Sequence, residues 1–130
     1  MTKRAPWPEE AGREYWKLRE KIRKGKQLFV LLIDFGLARR NTSLIERVIP
    51  RIEATARDIK IVCQTIQYNR SRYWPTWAVG ALETVTSLAD ELITISVQMG
   101  IAYRQGNWRL LETLTDLGLR YTQKTQTAGG

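Results

Sequence analysis

The chain has 130 residues, 43% of them apolar, with 21 Lys and Arg against 13 Asp and Glu, no His, and a formal charge of +8. That size and apolar content exclude a disordered tail and fit one domain with a core of its own. The absence of His removes the commonest general base and metal ligand, and a lone Cys63 excludes an internal disulfide or a thiolate metal site. No cofactor is expected, and a reducing cytoplasm is the expected location. The sign of the charge fits a polyanionic partner, nucleic acid or an anionic membrane surface; the plainer alternative is a basic protein with no such partner.

Residues 1–7, with Lys3 and Arg4, read as a frayed start. Trp7-Pro8-Glu9-Glu10 opens a first helix expected over 8–40, since Pro suits the first helical position and early carboxylates favour the positive end of the dipole. Tyr15, Leu18, Ile22, Gly25, Phe29, Leu32 and Gly36 share one face, and Gly25 is a candidate break. Arg13, Lys17, Arg19, Lys21, Arg23 and Lys24 lie away from that stripe. Trp16 is expected in solvent among them. Val30, Leu31 and Leu37 also lie off the stripe, which points to burial on a second side through a partner. The apolar run Leu28–Ile33 is too short to span a bilayer, and no signal peptide is visible.

Asn41-Thr42-Ser43 reads as a short turn, with Ser43 and Glu46 in a capping-box pattern. A second helix over 43–68 follows, interrupted or kinked at Pro50. Its stripe runs from Ile45 to Ile66 and holds Cys63, read as a buried structural thiol. The stretch Tyr68-Asn69-Arg70-Ser71-Arg72-Tyr73-Trp74-Pro75-Thr76-Trp77 is the hinge to a third helix over 75–105. That helix has an unbroken apolar stripe and bears Glu83, Asp90 and Glu91. Gly106-Asn107 leads into a fourth helix over 107–124, and residues 125–130 read as a disordered tail.

Four helices with short connections predict an all-α, up-down-up-down four-helix bundle in a single domain. The recurrence of Trp-Pro (7–8, 74–75), of Gly-x-Ala (36–38, 100–102) and of Leu-Ile-Glu/Leu-Leu-Glu (44–46, 110–112) points to two copies of one helical hairpin. Gly36 and Gly100, and Arg40 and Arg104, are the expected equivalent pairs. The topology puts the hinge beside the start of the first helix. Residues 1–72 carry 17 basic and 8 acidic side chains, and residues 73–130 carry 4 and 5.

No nucleophile–base pair, phosphate loop or zinc pattern is legible, so no enzyme and no small-molecule substrate are expected. Asp34-Phe35-Gly36 spells the metal-binding triplet of protein kinases without its companion motifs. What remains is binding. Arginines neutralise phosphates, and aromatic rings beside them stack on unpaired bases. Arg13, Lys17, Arg19, Lys21, Arg23, Lys24, Arg70, Arg72, Tyr73 and Trp74 form the candidate surface for RNA or single-stranded DNA. For the hinge aromatics the competing reading is that Tyr68, Trp74 and Trp77 plug the end of the bundle. The expected role is a non-catalytic nucleic-acid-binding subunit of a larger nucleoprotein complex. Small helical subunits of RNA-guided effector complexes and accessory proteins of reverse transcriptases share this build and charge, an analogy that no motif carries. The alternatives are a protein–protein adaptor or self-associating scaffold, using Trp16, Val30, Leu31, Leu37, Glu83 and Asp90, and a peripheral membrane binder.

Overall fold

A computed structural model describes Trp7, Pro8 and residues 11–129. Four helices follow one another: α1 (Gly12–Leu31), which runs on into a π-helical turn (Leu32–Leu37), α2 (Thr42–Asn69), α3 (Thr76–Arg104) and α4 (Trp108–Gly129). Each packs on the next, and α4 closes on α1, so the chain forms the expected up-down-up-down bundle. The three- and four-residue spacing of apolar side chains explains the packing. Leu18, Ile45, Val85 and Leu111 are wholly or almost wholly buried, and each lies on the inward stripe of its helix. The core has two parts. One surrounds Phe29, Met99 and Leu111 towards the hairpin tips, and the other surrounds Tyr15, Leu82 and Trp74 at the opposite end.

The two hairpins repeat more closely than the sequence suggests. The tips use one design. Asn41 N donates to Gly36 O and Arg40 N to Leu37 O; Asn107 N donates to Ala102 O and Gly106 N to Tyr103 O. Both are Schellman turns with a left-handed residue, Arg40 (φ 50°) or Gly106 (φ 68°). Each is followed by an Asn whose Oδ1 accepts from the backbone three residues on, Leu44 N at 3.2 Å and Leu110 N at 3.1 Å. Asn41 and Asn107 therefore cap the helices, and Ser43 lies inside α2 rather than at its cap. The equivalent tip residues are Arg40 and Gly106, and Gly36 and Ala102. The expected pairing of Arg40 with Arg104 and Gly36 with Gly100 was displaced by two residues.

From the tips through α2 and α4 the separation is 66 residues: buried Ile45, Val48, Ile49 and Ile52 match buried Leu111, Leu114, Thr115 and Gly118. Along α1 and α3 it is 67: Trp7, Ala11, Tyr15, Leu18, Ile22 and Gly25 match Trp74, Ala78, Leu82, Val85, Ala89 and Leu92, all buried. The extra residue is absorbed by the π turn, where Ala38 N donates to Ile33 O, five residues back. A π turn is a one-residue insertion in a helix. The helix therefore stays regular at Gly25, and its irregularity falls at 32–37.

Three further boundaries differ from expectation. α2 runs through exposed Pro50, whose missing N–H falls on the solvent side. α4 continues to Gly129: Thr122 and Thr125 are buried, and their hydroxyls donate to Gly118 O and Tyr121 O one turn back. The small residues expected to fray instead let α4 approach α1. Trp7 is buried rather than frayed, while residues 1–6, with Lys3 and Arg4, lie outside the described residues.

Two substitutions test this packing. A Cβ on Gly118 would stand 2.5 Å from Phe29 Cε1 and Cζ, and Phe29 is fully buried. Overpacking of about 1–3 kcal/mol exceeds the ~1 kcal/mol of helix propensity that alanine returns. Gly118→Ala is therefore expected to lower the midpoint of urea unfolding. At the first tip, Arg40→Gly is expected to be about 1 kcal/mol more stable than Arg40→Ala in the same assay, because only glycine takes φ 50° without strain.

Candidate nucleic-acid interface

The turn between α2 and α3 decides which aromatic rings face solvent. Arg70 is extended (ψ 146°), Tyr73 N donates to Ser71 Oγ at 3.2 Å, and Trp74 N donates to Ser71 O at 3.4 Å. Within that tight turn Arg72 and Tyr73 face solvent while Trp74 faces the core. Trp74 points inward and is 6% exposed. Its ring meets Trp7 edge-on at 6.3 Å, and Trp7 in turn lies 5.7 Å from Tyr15. Trp74 is thus a plug of the bundle end, and its expected role as a base platform is corrected. Tyr73 points outward at 79% exposure, with Tyr68 at 89% and Trp77 at 58%. The latter two were candidates for the plug and are instead on the surface.

The arginines of the turn are arranged around these rings. Arg72 holds its guanidinium 5.1 Å from the Tyr73 ring centre, and its Nη2 donates to the Tyr73 hydroxyl at 3.0 Å. Arg70 is half-buried, and its Nε is fully shielded with no hydrogen-bond partner. Trp74 Nε1 and the Tyr15 hydroxyl are also buried without a partner. Burial pushes the Tyr15 hydroxyl pKa up. The Arg19 charge acts the other way, but the hydroxyl makes no well-formed hydrogen bond with it.

α1 carries the rest of the expected surface past this end. Trp16 is 56% exposed, as expected, with Arg19 5.5 Å from its ring centre and the edge of Tyr15 at 5.1 Å. Lys17 pairs with Glu14 at 3.1 Å and Lys21 with Asp58 at 3.2 Å, both at sites open to solvent, where a pair contributes little and is easily exchanged. Arg13, Arg19, Arg23, Lys24, Arg70 and Arg72 pair with no carboxylate among the described residues. The hinge and the first half of α1 therefore share one end of the bundle, held together by the Trp7–Trp74 contact.

The expected protein-interface residues divide. Leu37 is buried in the core and cannot meet a partner, a correction that follows from the π turn rotating it inward. Val30 is exposed and Leu31 half-buried. With Phe35 they form the apolar floor of a groove of about 470 Å³ rimmed by Arg23, Lys26, Gln27 and Gln126. Glu83 is exposed, whereas Asp90 pairs with Lys60 at 2.6 Å.

The opposite end holds an arginine cluster absent from the expected surface. Arg39 stacks on Phe35 at 4.7 Å and Arg40 on Trp108 at 4.2 Å, with Arg47, Arg104 and Arg109 exposed nearby on the tips. The signal available in the sequence was Trp108 directly after the capping Asn107. Cys63 is fully buried, and burial raises its pKa to about 11, so its thiol stays protonated and inert. Among the described residues no group of three His, Cys, Asp or Glu could hold a metal ion, and no helix is long and apolar enough to cross a membrane. The chain matches no protein-family profile, no curated protein and no solved structure.

Proposed function

We propose that this chain is a non-catalytic nucleic-acid-binding subunit that takes RNA or single-stranded DNA within a larger nucleoprotein complex. The observation that carries this reading is the grouping of Tyr68, Tyr73 and Trp77, all exposed, with Arg70 and Arg72 at the end of the bundle where α1 begins. Exposed aromatic rings offer an apolar π face to a partner. Beside unpaired guanidiniums they are suited to stack on unpaired bases while the arginines take phosphates. A duplex keeps its bases stacked internally, so the rings favour a single strand. Trp16 and the unpaired cations of α1 extend the positive surface along the bundle.

The test is binding of fluorescent single-stranded RNA followed by anisotropy. Arg70→Ala/Arg72→Ala is expected to weaken it and to reduce the slope of log affinity against log salt by about 1.4, or ~0.7 for each lost phosphate contact. An unchanged slope and affinity would remove the hinge from the interface.

A second reading, a protein adaptor, is favoured by the groove of Val30, Leu31 and Phe35 between basic rims. It predicts partner capture or self-association that survives high salt, because apolar burial is not screened.

A further inference from the structure

The repeat gives each half of the molecule a counterpart for comparison, and one cleft differs from its counterpart in charge. Between α1 and the end of α4 lies a cavity of about 100 Å³ lined by Arg19, Ile22, Arg23, Gln126 and Gly129. At separations of 67 and 66 residues, the same places in the other half are Thr86, Ala89, Asp90, Lys60 and Cys63, three of which (Cys63, Thr86 and Asp90) line a cleft between α2 and α3. That second cleft carries its own anion: the Asp90 carboxylate lies 2.6 Å from Lys60 Nζ. In the first cleft Arg23 stands where Asp90 would be, Gln126 replaces Lys60, and Arg19 replaces Thr86. Two guanidiniums one helical turn apart line the cavity, and among the described residues no carboxylate lines it or pairs with either.

We infer that the α1–α4 cleft binds a phosphate monoester dianion, the group found at the end of a nucleic-acid strand and in free phosphates. The cavity is well below the ~300 Å³ at which small-molecule sites begin, so it admits an oxyanion and not a nucleotide. Its size is that of a few water molecules, at ~30 Å³ each. Two guanidiniums offer paired, charge-assisted N–H donors to such an anion, and the Gln126 amide offers a neutral one. A phosphodiester, esterified on two sides, fits a cavity of this size less well than a terminal phosphate does. The strand-end source rests on the nucleic-acid reading above; the cleft's affinity for the anion does not.

Calorimetry with pyrophosphate, and anisotropy with one single-stranded sequence carrying a 5′-phosphate, a 3′-phosphate or hydroxyl ends, test this together. Saturable pyrophosphate binding is expected. So is about tenfold tighter binding of a phosphorylated strand, the effect of one charged hydrogen-bonding contact. Arg23→Asp/Gln126→Lys, which copies the Asp90–Lys60 pair into this cleft, is expected to abolish both. Arg19→Gln/Arg23→Gln serves as a second variant should the first fold poorly. Arg120→Gln, elsewhere on α4, is expected to retain the preference, which separates a site from general charge. Equal affinity for all three strands, with no pyrophosphate binding, would overturn the assignment and leave strand binding intact. So would a preference that survives in the Asp/Lys variant. Pyrophosphate binding without any strand binding would support the cleft as a free-phosphate site and remove the nucleic-acid reading.

Discussion

Replacing Trp74 with alanine is expected to cost the fold about 3–5 kcal/mol, the range for a buried aromatic truncated to Ala. A domain of this size has only ~5–15 kcal/mol of stability, so the loss is a large share of the whole. The expectation follows from position. Trp74 is 6% exposed, meets Trp7 edge-on and belongs to the core that contains Tyr15, Leu82 and Ala78. No neighbouring helix can move in to fill the space, because the ring closes the end of the bundle rather than a seam between helices. Trp77→Ala, three residues on and exposed, is the control, and its unfolding midpoint is expected within about 0.5 kcal/mol of the parent. Trp7→Ala and Trp74→Ala together are expected to cost less than their sum, by the ~0.5–1.5 kcal/mol that an aromatic pair shares. Equal urea midpoints for Trp74→Ala and Trp77→Ala would contradict this account of the end wall.

The second large effect concerns binding. Tyr73→Ala and Trp77→Ala are each expected to weaken single-stranded RNA binding by ~1–3 kcal/mol, at least fivefold, at unchanged stability. Tyr73→Phe keeps the ring that Arg72 covers and loses only the hydroxyl that accepts from Nη2, so it is expected to bind nearly as the parent does. This split, with Trp74 acting on stability and Tyr73 and Trp77 acting on affinity, separates a stacking platform from a general loosening of the hinge. Anisotropy and urea unfolding on the same four variants give both readouts.

The bundle was legible in the sequence because its signal is periodic. Each inward stripe repeats at three and four residues, and a repeated pattern survives errors at single positions. The features that were misread are local choices with no period. Whether Trp74 or Trp77 faces inward depends on the dihedral angles of one turn. Asn41 takes the cap two residues before Ser43 because the Schellman turn ends there. Residues 125–130 were read as a disordered tail because they are small and polar. The hydroxyls at the end of α4 are in fact satisfied by carbonyls one turn back, so Thr122 and Thr125 can be buried without an orphaned donor.

The repeat was visible at its Trp-Pro and Leu-x-Glu landmarks, but its register was hidden for a packing reason. Volume is exchanged between facing positions. Phe29 sits over Gly118 in one half, and the equivalent pair in the other is Ser96 and Ile52. Matching residues therefore differ in size while the filled space is conserved, and side-by-side comparison of the halves shows few identities. The one-residue insertion was likewise invisible until the π turn placed it. The outward placement of Trp16 and the α1 cations was legible, since each lies off the apolar stripe of α1, whereas Tyr73 sits in a turn that no stripe describes. The tip arginines and the exposed Tyr68 were missed. The same test would have found Tyr68: Ile66 is buried, and a residue two places on lies on the opposite side of the helix.

The central claim, recognition of single strands through phosphates and exposed rings, is tested most directly by one salt titration against labelled single-stranded RNA, single-stranded DNA and duplex DNA of matched length. The predicted result is tighter binding to the single strands than to the duplex, with log affinity falling linearly as log salt rises. No binding to any of the three at about 50 mM salt, or equal affinity for duplex and single strands, would contradict it.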